Sequence, residues 1–167
     1  MLFTEEVKDM SELVDKLSTF DQDFGKIKVC VVCFIFDKNG YVILNRRGPG
    51  ARDEIGKLQA IGGSVNNSDA NFREAMVREI REEAGVNAHV ELGEFLGAQL
   101  NPAIDSMSKE LINWIILGYK GNLVEGDVEN MEPDRCSGFE RGYMTEFNRE
   151  ELSITVDRFI QKMLNEK

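Results

Sequence analysis

The sequence is poor in the residues most active sites draw on: 167 residues hold one histidine, three cysteines, one tryptophan and three prolines. A single histidine excludes a multi-histidine metal site. His89 lies between Ala88 and Val90 in strand-like sequence, with no serine or cysteine motif beside it, so it reads as structural and not as a catalytic base. Three cysteines, an odd number without an export signal, read as reduced thiols in a cytoplasmic compartment, with no disulfide. Cys30 and Cys33 form a CxxC within VCVVCFIF, but residues three apart on a strand point to opposite faces, and no second ligand pair exists for zinc. Both read as buried strand cysteines. The longest apolar run, Val29 to Phe36, is too short to cross a bilayer, and acidic Glu5 and Glu6 stand where an export signal would place basic residues. No membrane association is expected. Basic charge is also outnumbered, 20 Lys and Arg against 30 Asp and Glu, and the net charge of -10 repels polyanions such as duplex DNA. No nucleic-acid partner is expected.

What is present suffices for one core: 42% of the residues are apolar, and the length suits a single domain spanning 1–167. Residues 5–20 carry Val7, Met10, Leu13, Val14, Leu17 and Phe20 at helical spacing, which predicts an amphipathic helix within an N-terminal extension, 1–24. Its apolar face would pack on the core, with a homodimer contact as its other use. Lys26 to Phe36 reads as a buried strand and Tyr41 to Arg46 as its hairpin partner across Asp37-Lys38-Asn39-Gly40. A polar loop, Gly48 to Lys57, leads to a short segment, Leu58 to Ile61, and then to Gly62-Gly63, where the backbone can approach a ligand. Asp69 or Asn71 would cap a helix ending at Ala84, stopped by Gly85. Strands at His89 to Leu100 and Leu111 to Tyr119, an acidic loop from Glu125 to Asp134 and a terminal helix near Arg149 to Asn165 complete the reading. This order of elements predicts a mixed α/β sandwich and not a doubly wound fold.

The helix before Gly85 carries the chemistry. Glu79, Glu82 and Glu83 lie at i, i+3 and i+4, on one sector, while Met76, Ile80 and Ala84 form an adjoining apolar stripe. Like charges at these spacings repel, and a cation would relieve them. Carboxylates without nearby cysteine or histidine favour hard ions, magnesium or manganese ahead of zinc or copper. Arg78, one turn before Glu82, could pair with it, whereas Glu74 and Arg81 fall on the outer sector.

These residues resemble the Nudix box, GX5EX7REUXEEXGU with U a bulky aliphatic residue, here within 62–86. Arg78-Glu79-Ile80-Arg81-Glu82-Glu83-Ala84-Gly85-Val86 matches its second half in full. In the first half, the sixth residue after Gly63 is Asp69 instead of Glu, and eight residues instead of seven separate it from Arg78. The resemblance implies an α/β/α sandwich with a mixed sheet, in which Glu79, Glu82 and Glu83 hold Mg2+ (or Mn2+), the Gly63 carbonyl is a further ligand, and Arg78 orients the acids. Glu82 and Arg78 would serve catalysis, joined by a general base from another loop. Among Glu110, Glu129 and Glu132, the preferred base is Glu132, because Glu132-Pro133-Asp134-Arg135-Cys136-Ser137-Gly138-Phe139 resembles the EPxxCxxW segment of MutT-type pyrophosphatases, with Phe139 in place of Trp. Arg46, Arg47, Arg52 and Lys57 cluster before the box as candidate phosphate-binding residues.

The implied activity is metal-dependent hydrolysis of a phosphoanhydride in a small nucleoside diphosphate derivative, first a nucleoside triphosphate. The alternatives are an ADP-ribose or dinucleotide pyrophosphatase, for which Pro102, sixteen residues beyond Val86, is a loose marker, and a non-catalytic nucleotide-sensing module. Domains of the last kind usually lose box carboxylates, and all three are kept here. Prenyl diphosphate isomerisation would require a catalytic cysteine in a setting that Cys30, Cys33 and Cys136 do not offer. Phe36, Trp114, Tyr119 and Phe139 could stack on a base or fill the core; for Trp114, in a strand, core is the favoured role.

Overall fold

A computed structural model describes residues 1–105 and 108–166; Ser106, Met107 and Lys167 lie outside it. The elements are α1 (Met10–Ser18), β1 (Ile27–Phe36), β2 (Val42–Arg47), β3 (Leu58–Gln59), β4 (Ile61–Ser64), α2 (Phe72–Ala84), β5 (His89–Ile104), β6 (Leu111–Glu125), β7 (Cys136–Gly142), a 3-10 turn at Arg149–Glu151 and α3 (Ile154–Asn165). Seven strands form one mixed sheet in the order β3-β2-β1-β6-β5, with β4 also on β1 and β7 on β2.

The strand β1 organises this sheet because both its faces are apolar. Val29, Val31, Cys33 and Ile35 join one core with Leu13 and Leu17 of α1 and Phe72, Ala75, Met76 and Ile80 of α2. Their neighbours Cys30, Val32, Phe34 and Phe36 face a second core with Val156, Phe159, Ile160 and Met163 of α3. Period-two alternation on a strand that is apolar throughout requires cover on both sides, and the helices supply it. The result is the expected α/β/α sandwich, and the CxxC divides between its two faces. All three cysteines are free.

The pairing of β1 opens the sheet. Parallel β6 runs along one edge for the whole strand, from Ile27 opposite Asn113 to Phe36 opposite Asn122. On the other edge the expected hairpin with β2 exists only at its tip, Ile35 opposite Ile43 and Phe36 opposite Val42. From Cys30 to Cys33 that edge pairs instead with β4. Two strands thus share one edge of β1, and they must diverge. Gly62 and Gly63 lie opposite Val32 and Val31 in this pairing, and a Cβ on Gly62 would lie 2.0 Å from the Val31 carbonyl oxygen, so no other residue fits there.

Several boundaries differ from the sequence reading. The strands β5 and β6 extend to Ile104 and Glu125 as a long antiparallel pair. The segment after Asp134, to which the sequence reading assigned no element, supplies β7, paired with β2. The terminal helix begins at Ile154, capped by Ser153, after the separate turn at Arg149–Glu151. The first helix starts at Met10 because the Asp9 side chain accepts from the Glu12 amide. Ahead of it, Phe3 bridges to Ala98 on the outer edge of β5.

The N-terminal segment is therefore built into the core, with Phe3, Val7, Leu13 and Leu17 all buried. Truncating Leu13, which has no exposed surface, removes contacts with the α2 side of the sheet. Leu13→Ala should lower unfolding free energy by about 2–5 kcal/mol in urea titration; a change within error would mean the helix docks too weakly to belong to the cooperative unit.

Candidate active site

Where β2 and β4 diverge, a cavity of about 730 Å3 opens, and residues from almost every element line it. It receives Val32 from β1, Asn45 and Arg47 from β2, Gly62 and Gly63 from β4, Glu79, Glu82 and Glu83 from α2, and Trp114 and Ile116 from β6. Arg52 and Glu132 come from the flanking loops.

The helix α2 presents its acids in a graded way. Asn71 caps the helix by accepting from the Glu74 amide at 2.9 Å, and Gly85, at φ 87°, ends it. Glu79 is buried, Glu83 half-buried and Glu82 exposed. The acids therefore share a sector without sharing an environment. A Cβ on Gly63 would come within 2.5 Å of the Glu79 carboxylate, so glycine lets the backbone approach that acid closely. Glu83 Oε2 accepts from the Gly62 amide at 3.1 Å and from the Asn45 side chain at 3.4 Å.

Arg78 ties this half of the site together. Its guanidinium donates to both oxygens of Asp69 (2.9 and 2.8 Å), to the Ser64 carbonyl (3.0 Å), to Glu79 (2.6 Å) and to Glu82 (3.2 Å). The one-turn pair with Glu82 expected from spacing exists, but it is the longest of these bonds. Asp69 has an assigned place: nine residues before Arg78, it forms the carboxylate half of a planar fork. The extra residue in the loop is accommodated without breaking that pairing.

Of the other sequence candidates, Arg47 and Arg52 line the cavity, but Arg46 and Lys57 do not. Arg46 is held by Glu140, by Glu151 at 2.7 Å and by the Gly56 carbonyl at 2.6 Å, and Lys57 donates to the Glu150 carbonyl. The pairing of β2 with β7 shifts register between Arg46 and Arg47, and the bonds to Glu140, Glu151 and Gly56 hold Arg46 away from the cavity. Arg47 is itself anchored, donating to Asp53 at 2.7 Å and to Gln59. Glu132 is in the cavity; Glu110 pairs with Lys26 and Glu129 accepts from Asn87, both away from it. His89 is exposed beside Glu125, also outside. Sequence reasoning missed Asn45 and Gln59. A buried asparagine within the apolar β2 run, VILNRR, is the signal that could have found the first.

Burial sets the electrostatics. Desolvation pushes the Glu83 carboxyl up to about 8, with added repulsion from Glu79 and Glu132 opposed by the Gly62 amide and Arg47. Desolvation also raises Glu79, partly offset by Arg78. Among the described residues no three His, Cys, Asp or Glu side chains already form a metal cage. The donor set nevertheless fits a hard divalent cation. It consists of oxygens alone, backbone approaches Glu79 at a glycine, and the mutual repulsion of Glu79, Glu83 and Glu132 is what a cation would cancel. Cys30 also lines the cavity, 3.7 Å from the Ser64 hydroxyl, and burial pushes its thiol up to about 11.

The fork gives a direct test. Hydrogen bonds from Arg78 hold the Asp69 carboxyl below the usual carboxylate range, so its stabilisation is fully present above about pH 4 and lost as pH falls through the depressed folded value. Asp69→Asn should cost about 1–3 kcal/mol at pH 7, and the gap from the parent should close in acid. Equal urea midpoints at pH 7 would mean that Ser64 and Glu79 suffice to hold Arg78.

Comparison with known proteins follows this geometry. Residues 26–163 match the NUDIX domain family. Over 68 residues the chain is 38% identical to the CTP pyrophosphohydrolase of Escherichia coli (strain K12), a stretch that is 41% of this chain and 47% of that protein. The match thus spans about half of that relative's length. The MutT protein from Methanosarcina mazei Go1 superposes with a TM-score of 0.71 at 20% identity, over 87% of this chain and 98% of that one. The NUDIX domain of Shewanella oneidensis NrtR, solved with ADP ribose, gives 0.63 at 14% identity, over 92% and 97%. At these identities the solved structures speak to fold alone. Proteins of this family generally use divalent metal ions and act on small nucleotide derivatives. The family match runs from just before β1 into α3 and takes in the entire carboxylate helix, and on that extent the chain belongs to the Nudix family.

Proposed function

We propose that this protein is a magnesium-dependent nucleoside triphosphate pyrophosphohydrolase, releasing pyrophosphate and a nucleoside monophosphate. The observation that carries the reading is one cavity with Glu79, Glu82 and Glu83 on one helix, Glu132 on a separate loop, and Arg47 in the same wall. A phosphate chain needs its charge neutralised and a water activated, and these are the parts for both tasks.

Glu79, Glu82 and Glu83, with the Gly63 carbonyl, would hold the metal. When bound, Mg2+ (Mn2+ as a substitute) supplies charge neutralisation of the phosphates and a more acidic water. The protein's own groups do the rest. Arg78 fixes Glu79 and Glu82 through its hydrogen bonds, themselves set by Asp69 and Ser64. Glu132, on a loop apart from α2, accepts the proton of the attacking water as general base. Arg47 offers its guanidinium to a phosphate oxygen from an anchored position on β2. The E. coli relative named as a CTP pyrophosphohydrolase supports a triphosphate substrate. Cleavage of ADP-ribose is the second reading, favoured by the placement of Pro102 in the cavity wall.

The test is turnover of nucleoside triphosphates and ADP-ribose with Mg2+, with Mn2+ and with EDTA. Chelation should abolish hydrolysis. Glu82→Gln and Glu83→Gln should each lower kcat by about a hundredfold or more, and Glu132→Gln by about 10²–10⁴. Pyrophosphate release from triphosphates identifies the first reading, while turnover of ADP-ribose alone favours the second. No turnover with either metal defeats both and leaves a nucleotide-sensing module.

A further inference from the structure

Trp114 is the only tryptophan in the chain, and it is both buried and part of the cavity wall. It sits on the α3 face of β6, away from the sector that carries the acids. Two cations lie over its ring: the Arg52 guanidinium, 4.7 Å from the ring centroid, and the Lys28 ammonium, at 5.3 Å. Their anchorage differs. Lys28 is on β1, directly beside Trp114 in the parallel register. Arg52 comes from the 48–57 loop, with an exposed side chain whose hydrogen bonds go to the adjacent Asp53. A solvent-exposed cation over an aromatic ring is held less tightly than a base stacked on one, so Arg52 is the displaceable cap.

Two polar side chains in this part of the cavity wall, Asn101 and Thr155, are already engaged. Asn101 donates to the Thr155 hydroxyl at 2.8 Å and accepts from Arg158 at 2.7 Å. A site whose amide and hydroxyl are committed to each other has little left with which to read a base edge, whereas every base has a π face.

Resting on the nucleotide reading above, we infer that the indole of Trp114 is the seat of the substrate's nucleobase, that Arg52 covers this face in the free protein and is displaced by the base, and that the seat accepts purines and pyrimidines alike. The phosphate chain then extends from this seat toward the acids of α2.

The unique tryptophan makes the test direct, because its emission reports this ring alone. The full chain is titrated in magnesium with AMP, CMP and pyrophosphate, none of which retains the scissile nucleotide anhydride. Both monophosphates should quench Trp114, with dissociation constants within about tenfold of each other, and pyrophosphate should leave the emission unchanged. Silence toward both monophosphates at millimolar concentration overturns the seat, as does equal quenching by pyrophosphate; a preference beyond about a hundredfold overturns its tolerance of bases. Arg52→Gln should shift the free emission to the red while AMP still quenches; loss of quenching in that variant would make Arg52 a ligand and not a cap. In turnover, Trp114→Leu should raise KM about tenfold with kcat within about threefold, and Trp114→Phe, which keeps a ring, should recover most of that. Unchanged KM in both overturns the seat. Absence of turnover for every nucleotide defeats the proposed hydrolysis only, since the emission titration needs no chemistry.

Discussion

Everything in this molecule is arranged around a strand that cannot face water on either side. Ten residues of β1 alternate into two separate cores, so the strand must lie inside the sheet and between helices. With β6 along one edge, the other is divided between β2 at its tip and β4 along its middle. The cleft follows from that division: two strands competing for one edge must separate, and the space between them is floored by the central strand and roofed by α2. A binding cavity here is a by-product of strand bookkeeping, and no element had to be added to make it.

The cleft holds acids under conditions in which acids are uncomfortable. Three glutamates on one helix would ordinarily turn to solvent, but α2 must also bury Phe72, Ala75, Met76 and Ile80. That orientation draws Glu79 and Glu83 partly out of water while leaving Glu82 exposed. The molecule tolerates this because one arginine distributes its donors among two acids of the helix, one acid of the preceding loop and a carbonyl of β4. Arg78 is thus both counter-charge and mechanical link, and the loop between β4 and α2 is held by the same group that holds the acids.

Much of this was legible in the sequence. The apolar run of β1, the cap and stop of α2 and the spacing of Glu79, Glu82 and Glu83 are local patterns with local causes, and a sequence displays them directly. The loop acid Asp69 was visible too, but not its partner, since its pairing with Arg78 depends on how nine residues of loop and helix fold back. Arg46 and Lys57 were misplaced for a related reason. Clustering in sequence shows that cations are near one another, whereas which side of β2 faces the cleft depends on its pairing with β3 and with β7, a strand remote in sequence. Trp114 was read as core; it is buried, and it also walls the cavity, because the core it belongs to ends at the cleft.

The C-terminal end of α2 carries one further consequence. The Ala84 carbonyl accepts from the Glu129 amide at 2.8 Å and the Glu83 carbonyl from the Met131 amide at 3.3 Å, so the loop bearing Glu132 is stitched to α2 by main-chain atoms. Gly48 and Gly50 fasten the far side of that loop to the 48–57 segment in the same manner, through the Arg135 and Asp134 carbonyls. Main-chain stitching ignores side-chain identity but counts residues. Over evolutionary time this stretch, Glu132 and the Asn130 side chain that shapes the loop apart, is therefore free to drift in composition while its length between Glu129 and Arg135 stays fixed, and relatives that diverge here should differ by replacement, with insertions and deletions confined to the turn before Glu129.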